Sequence, residues 1–232
     1  MIARLVGSIA VCLLLWSAAS HDAMASSEDR WVFRVYLEDK PIGFHEFRVS
    51  EHGAGREVEI NAEFDVKFLF FNAYSYDHRN TESWAQNCLR GIEAVTNANG
   101  EKFQVYGQHG ENGFRIRTGD ESEILESECV RSFAYWNPVI LESERLLNAQ
   151  TGEILNVTVV PLGPDALSVG SNQIPAEKFR IEMTEGPITL WYSAENRQWL
   201  ALEAPAKGGR TLRYEPVILP GQAGDSIELA MD

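Results

Sequence analysis

The sequence lacks a basic run, a C-x-x-C pair and a glycine-rich phosphate loop, and it holds only three cysteines among 232 residues. Its 20 basic and 34 acidic side chains give a formal charge of −14. Phosphate backbones and anionic head groups repel such a chain, which argues against nucleic acid as a partner. With 44% hydrophobic and 23% charged residues, the composition excludes intrinsic disorder, collagen and coiled coil.

The N-terminus has the three-part pattern of a secretory signal peptide. A short basic start ending at Arg4 precedes an apolar run over residues 5–16, and small and polar residues follow, with small residues at Ala23 and Ala25. Signal peptidase needs narrow side chains at these last two positions, so we expect cleavage after Ala25. The apolar run has about twelve residues against the roughly twenty that span a bilayer, so no stable membrane span is expected after cleavage. The pattern predicts a periplasmic or secreted protein.

Two cysteines, Cys88 and Cys129, remain in the predicted mature chain. Oxidising compartments form and keep disulfides, so the pair predicts one bridge. A reactive or metal-binding thiol pair is the alternative, but it lacks the usual spacing and nearby histidines.

Alternation with a period of two dominates the mature sequence. In residues 56–68 the even positions from Val58 onward are apolar and the odd ones polar, which predicts a strand with one buried face. Residues 31–37 and 43–49 predict a hairpin, and the Asn-Gly pair within residues 97–100 predicts another. Residues 145–147 and 153–160 predict two further strands on either side of a turn over residues 148–152.

The predicted fold is therefore all-β: one domain over residues 26–220, built as a single antiparallel, strongly curved sheet or a partly open β-barrel of about ten strands. A two-sheet sandwich is the alternative. Around Phe133 we expect one short helical insertion or folded-back loop. The acidic residues 120–128 predict a solvated loop or short helix, and residues 221–232 a mobile polar tail.

The strand over residues 74–84 carries the most informative pattern. Tyr76, His78, Asn80, Glu82 and Trp84 share one face. If that face is interior, aromatic walls and polar groups describe a ligand cavity. If it is exterior, the neighbouring face with Ala73, Ser75 and Thr81 turns inward instead. Both interpretations stay open.

A second aromatic group, Phe133 with Tyr135 and Trp136, predicts a lid over that cavity or a plug at one end of the barrel. The candidate ligand-binding residues are Tyr76, His78, Glu82, Trp84, Tyr135 and Trp136. His45, on the apolar face of its strand, is expected to be a hydrogen-bonded core histidine rather than a ligand.

No motif assigns catalysis, a metal or a cofactor. A G-x-S-x-G elbow is missing, and His78 and Glu82 lie about 13 Å apart along an extended strand, too far to share a metal without help from other strands. We therefore assign no catalytic residue, no metal and no cofactor. These absences lower the probability of an enzyme without excluding a site assembled from distant strands.

Several segments resemble an uncharacterised family of exported proteobacterial proteins, known as a domain of unknown function. These segments are residues 41–45, 133–138, 146–152 and 190–192, and the resemblance includes both mature cysteines. It implies export and a one-domain β fold and transfers no catalytic residue. A broader architectural likeness is to periplasmic carriers of the lipoprotein-carrier type, which have a strongly curved β-sheet.

Three functions remain open. The first is binding or carrying an apolar or amphipathic small molecule, such as a lipid, in the concave face of a curved sheet. The second is a non-enzymatic module that docks another envelope protein through a strand edge or apolar patch. The third is an enzyme with a dispersed site, which predicts titratable groups from several strands in one pocket.

The first test concerns cleavage. Intact mass spectrometry of protein from the periplasm should give the mass of residues 26–232, because Ala25 fits the narrow site that signal peptidase requires. Ala25→Trp should retain residues 1–25. A wild-type mass that includes those residues would contradict the prediction.

Overall fold

A computed structural model describes residues 28–68, 71–169 and 172–221. The predicted signal peptide and residues 222–232 of the predicted tail lie outside these ranges.

Fifteen strands and one short 3₁₀ helix, Pro138–Glu142, occur within the described ranges. The strands are β1 Glu28–Leu37, β2 Lys40–His52, β3 Gly55–Phe68, β4 Phe71–Ala85, β5 Cys88–Ala98, β6 Glu101–Gly110, β7 Gly113–Thr118, β8 Glu121–Leu125, β9 Arg145–Leu147, β10 Ile154–Asn156, β11 Thr158–Val169, β12 Asn172–Glu182, β13 Ile188–Ser193, β14 Trp199–Ala206 and β15 Arg210–Ile218.

Thirteen of these strands form one antiparallel sheet. Its order is β11-β12-β13-β14-β15-β1-β2-β3-β4-β5-β6-β7-β8, while β9 and β10 form a separate two-stranded sheet. Strand β1 lies between β2 and β15, so the first and last strands meet inside the sheet. The edge strands β8 and β11 do not pair with each other. The single antiparallel sheet is confirmed.

The predicted alternation of apolar and polar residues matches the alternation of buried and exposed side chains in the strands. In β3, Val58, Ile60, Ala62 and Phe64 are buried while the glutamates between them are exposed. The predicted turn between β5 and β6 also forms, with Asn99 and Gly100 both at positive φ. Such a turn matches the right-handed twist of the two strands.

Residues 126–157, here called the cover segment, pack against the inner face of the sheet. The Tyr135 ring lies 5.3 Å from that of Trp199 on β14, and the Trp136 ring lies 5.7 Å from that of Trp84 on β4. At the other end of the segment, Gly152 leaves no room for a Cβ against the side chain of Thr118 on β7. The cover segment therefore supplies the second wall of the core.

Two local predictions are wrong and one is refined. Residues 120–128 do not form a helix or a plain loop, because Glu121–Leu125 pairs with β7 as an edge strand and directs Leu125 inward. Residues 153–160, expected as one strand, divide between β10 and β11. The helical insertion near Phe133 is a single 3₁₀ turn, capped by the Asn137 side chain.

The predicted Cys88–Cys129 disulfide is present, and its cysteines are 41 positions apart in sequence. Next to it, the Leu89 amide donates to the Val130 carbonyl at 2.8 Å. Together these bonds attach the start of the cover segment to β5.

Replacing both cysteines by serine should lower the free energy of unfolding by about 3–4 kcal/mol, because a loop of this length gains that much entropy in the unfolded chain. Urea titrations of oxidised wild type and the double variant would measure the difference. Adding a reductant should destabilise only the wild type. Equal stability in both would contradict the prediction.

Candidate functional site

A cavity of about 330 Å³ lies between the inner face of the sheet and the cover segment. Strands β2, β3, β4, β14 and β15 form one side of it, and the cover segment with residues 183–188 forms the other. Its lining comprises His45, Phe47, Ile60, Tyr76, His78, Asn80, Glu82, Ser132, Phe133, Tyr135, Asn148, Ala149, Gln150, Leu155, Met183, Glu185, Gly186, Pro187, Ile188, Ala204, Pro205 and Tyr214.

The polar stripe of β4 faces this interior. His78, Asn80 and Glu82 are only 7%, 3% and 1% exposed. They pair across the sheet with Ala62, Ile60 and Val58 of β3, respectively, so apolar side chains flank the stripe. The interior interpretation of this face is therefore correct, and the alternative, in which Ala73 and Thr81 turn inward, is wrong because both are exposed.

Glu82 places a carboxyl group inside the core. Asn80 Nδ2 donates to its Oε1 at 2.9 Å, and Trp84 Nε1 donates to its Oε2 at 2.8 Å. Burial raises the pKa of Glu82, and the hydrogen bonds from Asn80, Trp84 and Ser132 oppose that rise.

Asn80 Oδ1, beside Glu82, is buried without a hydrogen-bond partner among the described residues. Asn80 lines the cavity. A buried acceptor without a partner costs roughly 1–3 kcal/mol, so this atom marks a place where a bound donor would stabilise the protein.

The two histidines of the cavity are neutral at pH 7. Burial lowers the pKa of His78 to about 4, and its Nδ1 lies 2.7 Å from Thr96 Oγ1. Burial, together with His78, lowers the pKa of His45 to about 3. His45 Nδ1 lies 3.1 Å from the Tyr214 hydroxyl, but its Nε2 is buried without a described partner. His45 is therefore hydrogen-bonded through Nδ1, as expected of a core histidine, and its ring also lines the cavity.

Aromatic rings form the walls. Tyr76 stacks on Phe64 with ring centroids 5.3 Å apart, and its hydroxyl donates to Gln150 Oε1 at 3.2 Å. The backbone of Tyr135 is held in place by a hydrogen bond, since the Tyr192 hydroxyl donates to its carbonyl oxygen at 2.9 Å. Burial raises the pKa of Tyr76 and Tyr135, so both rings present neutral hydroxyls.

Four of the six predicted residues line the cavity: Tyr76, His78, Glu82 and Tyr135. Trp84 and Trp136 do not; Trp84 holds Glu82 and packs edge-on against Trp136. Sequence reasoning missed three lining residues: Tyr214 on β15, Gln150 in the cover segment, and Glu185 in the loop before β13. The pairing of His45 with Tyr214 joins residues 169 positions apart, which no local pattern reveals.

A second depression, of about 520 Å³, lies on the outer face of β6, β7 and β8. Its lining side chains include Tyr106, Arg115, Arg117 and Ile124, which are all exposed. It lacks the buried polar groups of the interior cavity, which is therefore the better candidate site.

Within the described ranges, no group of three or more His, Cys, Asp or Glu side chains is placed to hold a metal ion. No helix in those ranges is both long and apolar enough to cross a membrane.

Comparison with known proteins supports the fold and gives no activity. Residues 33–217 match the model of a family described as a domain of unknown function, DUF6134. Among solved structures, a β-barrel-like protein of the domain of unknown function DUF1849 from Brucella abortus is similar, with a TM-score of 0.60 and 10% identity. The similarity covers 84% of this chain and 97% of that one. No curated protein matches.

The buried His78 generates a pH prediction. Its pKa is about 4 when folded and 6.5 when unfolded, so its contribution to stability is present above pH 6.5 and is lost as the pH falls towards 4. The slope is about 1.4 kcal/mol per pH unit for one such group. Urea titrations between pH 7 and pH 4.5 should give a shallower loss of stability for His78→Gln than for wild type.

The matched control is His52→Gln, because His52 is exposed at the end of β2. This variant should retain the wild-type slope. An unchanged slope in His78→Gln would contradict the burial of a neutral histidine.

Proposed function

Because the chain belongs to the DUF6134 family, whose description states no activity, we propose its function from the site: it binds a small amphipathic molecule in the cavity between the curved sheet and the cover segment. The proposed setting is the cell envelope, after export. The observation that carries the proposal is a stripe of polar groups inside an otherwise aromatic and apolar cavity.

The polar stripe supports binding because its hydrogen-bonding capacity is only partly used. Asn80 Oδ1 has no described partner, and the two oxygens of Glu82 can accept more than the hydrogen bonds from Asn80, Trp84 and Ser132. A core that served packing alone would place apolar side chains here, since an unsatisfied polar group destabilises the fold. A ligand with hydrogen-bond donors would satisfy these atoms.

The cavity's size supports a small ligand. Its volume of about 330 Å³ lies at the lower end of the roughly 300–1,000 Å³ typical of small-molecule sites. This favours a compact amphipathic molecule over a complete diacyl lipid.

The proposed location has two supports. The disulfide is of a kind that persists in oxidising compartments. The N-terminal sequence has the layout of a signal peptide.

A dispersed enzymatic site is the second candidate. His45, His78, Glu82 and Tyr214 come from three strands and meet in one cavity, which is the arrangement that this alternative predicted. The pKa shifts of all four are caused first by burial. Two described hydroxyls contact these histidines, but neither is placed as an activated nucleophile: Thr96 does not line the cavity, and burial raises the pKa of Tyr214. Binding is therefore the better supported function. The docking module is the remaining alternative; it predicts a filled core, whereas this core contains a cavity.

Native mass spectrometry of the protein from its own periplasm tests the proposal. We expect an added mass that disappears after organic extraction. Ala204→Phe should abolish the added mass, because Ala204 lies on β14 and lines the cavity, so a larger side chain there fills it.

Ala73→Phe is the matched control, since Ala73 is exposed on β4. It should retain the added mass. A wild type that shows no added mass, and binds no small amphipathic probe in titration, would contradict the proposed function.

A further inference from the structure

The lining holds two carboxyl groups and no lysine or arginine: Glu82 lies deep in the cavity, and Glu185 is exposed at its lining. Burial raises the pKa of Glu82, and a cation beside it would favour its charged form. The histidines add no positive charge at neutral pH, because burial lowers the pKa of His45 to about 3 and of His78 to about 4. A cleft that carries charges of one sign and has apolar walls concentrates the electrostatic potential, and it therefore attracts ligands of the opposite charge.

Acceptor atoms at the deep end of the cavity keep unused capacity. Glu82 Oε1 accepts from Asn80 and Oε2 from Trp84, and Asn80 Oδ1 accepts no described hydrogen bond. The Asn80 amide and the Trp84 indole are already committed as donors to Glu82. The deep end of the cavity is therefore suited to a group that donates several hydrogen bonds, as an ammonium does.

The walls match such a group as well. Phe47, Tyr76, Phe133 and Tyr135 present aromatic rings to the cavity. An aromatic face attracts a cation through its quadrupole and packs against an apolar body.

We propose that the ligand is a small organic amine with an apolar or aromatic body, bound with its protonated nitrogen at Glu82 and Asn80 and its body against the aromatic walls. The inference rests on the proposed binding function and names its ligand class. The same lining disfavours a carboxylate such as a fatty acid, because it holds no lysine or arginine to pair with that charge.

Three probes of similar size test the charge preference. They are 2-phenylethylammonium, 2-phenylethanol and 3-phenylpropionate, titrated calorimetrically at pH 7.5 into the full mature chain with its disulfide formed. We expect the amine to bind about tenfold more tightly than the alcohol, and the carboxylate to bind most weakly. This comparison uses wild type alone, so it does not depend on whether a variant folds.

Glu82→Gln locates the preference. It keeps the size of the side chain and one carbonyl oxygen, and it should bring the affinity for the amine down to that for the alcohol. Glu185→Gln, at an exposed position, should lower the affinity for the amine by about twofold, through the weaker electrostatic attraction of an exposed charge. Glu93→Gln is the matched control, because Glu93 is exposed on β5 and does not line the cavity; it should change nothing.

The outcomes separate the two proposals. If the alcohol or the carboxylate binds as tightly as the amine, the amine inference is overturned while small-molecule binding stands. If Glu82→Gln folds and keeps the full preference for the amine, the assignment of the nitrogen to Glu82 is overturned. If no probe binds and the native protein carries no added mass, both proposals fail.

Discussion

An open β-sheet with one apolar face has to cover that face with the rest of its own chain. Here the cover segment does so, and its attachment at the Cys88–Cys129 disulfide fixes where it begins. Much of the cavity wall opposite the sheet depends on this arrangement, since Ser132, Phe133 and Tyr135 come from the segment itself.

The polar stripe of β4 works against the stability of the core that contains it. Glu82 loses its hydration, and the hydrogen bonds from Asn80 and Trp84 restore only part of that free energy. The support continues outward: Trp84 packs edge-on against Trp136, and the Arg56 guanidinium lies 5.6 Å from the Trp136 ring centroid. Successive layers of side chains thus hold one carboxylate in a fixed orientation. Such preorganisation is what a binding site requires and what a purely structural core does not need.

Local patterns predicted most of the fold and part of the site. Alternation predicted β3 and β4 because the buried residues of a strand recur at every second position. It could not determine which face of β4 is interior, since Tyr76, His78 and Glu82 combine aromatic and polar groups that suit either a buried or an exposed face. Strand β8 was missed because an acidic edge strand directs few side chains inward. Strand β11 was predicted only at its start because Pro161 and Pro164 resemble breakers, although an edge strand tolerates proline. Tyr214 and Glu185 join the site only through tertiary packing, for which the sequence offers no period.

The position of β1 between β2 and β15 orders the events of folding. The Trp31 indole donates to the Trp199 carbonyl, 168 residues later, and β1 then pairs with β15 along Val32 to Leu37. Contacts at such separation require closing a very long loop before they contribute, which makes folding slow. Strands β1 to β8 can form as successive hairpins during synthesis of the chain. The edge of β1 that faces β15 stays unpaired until β15 has been synthesised. During that interval the edge is open to pairing with other chains, and assembly of the native sheet requires the C-terminal strand to be complete and available.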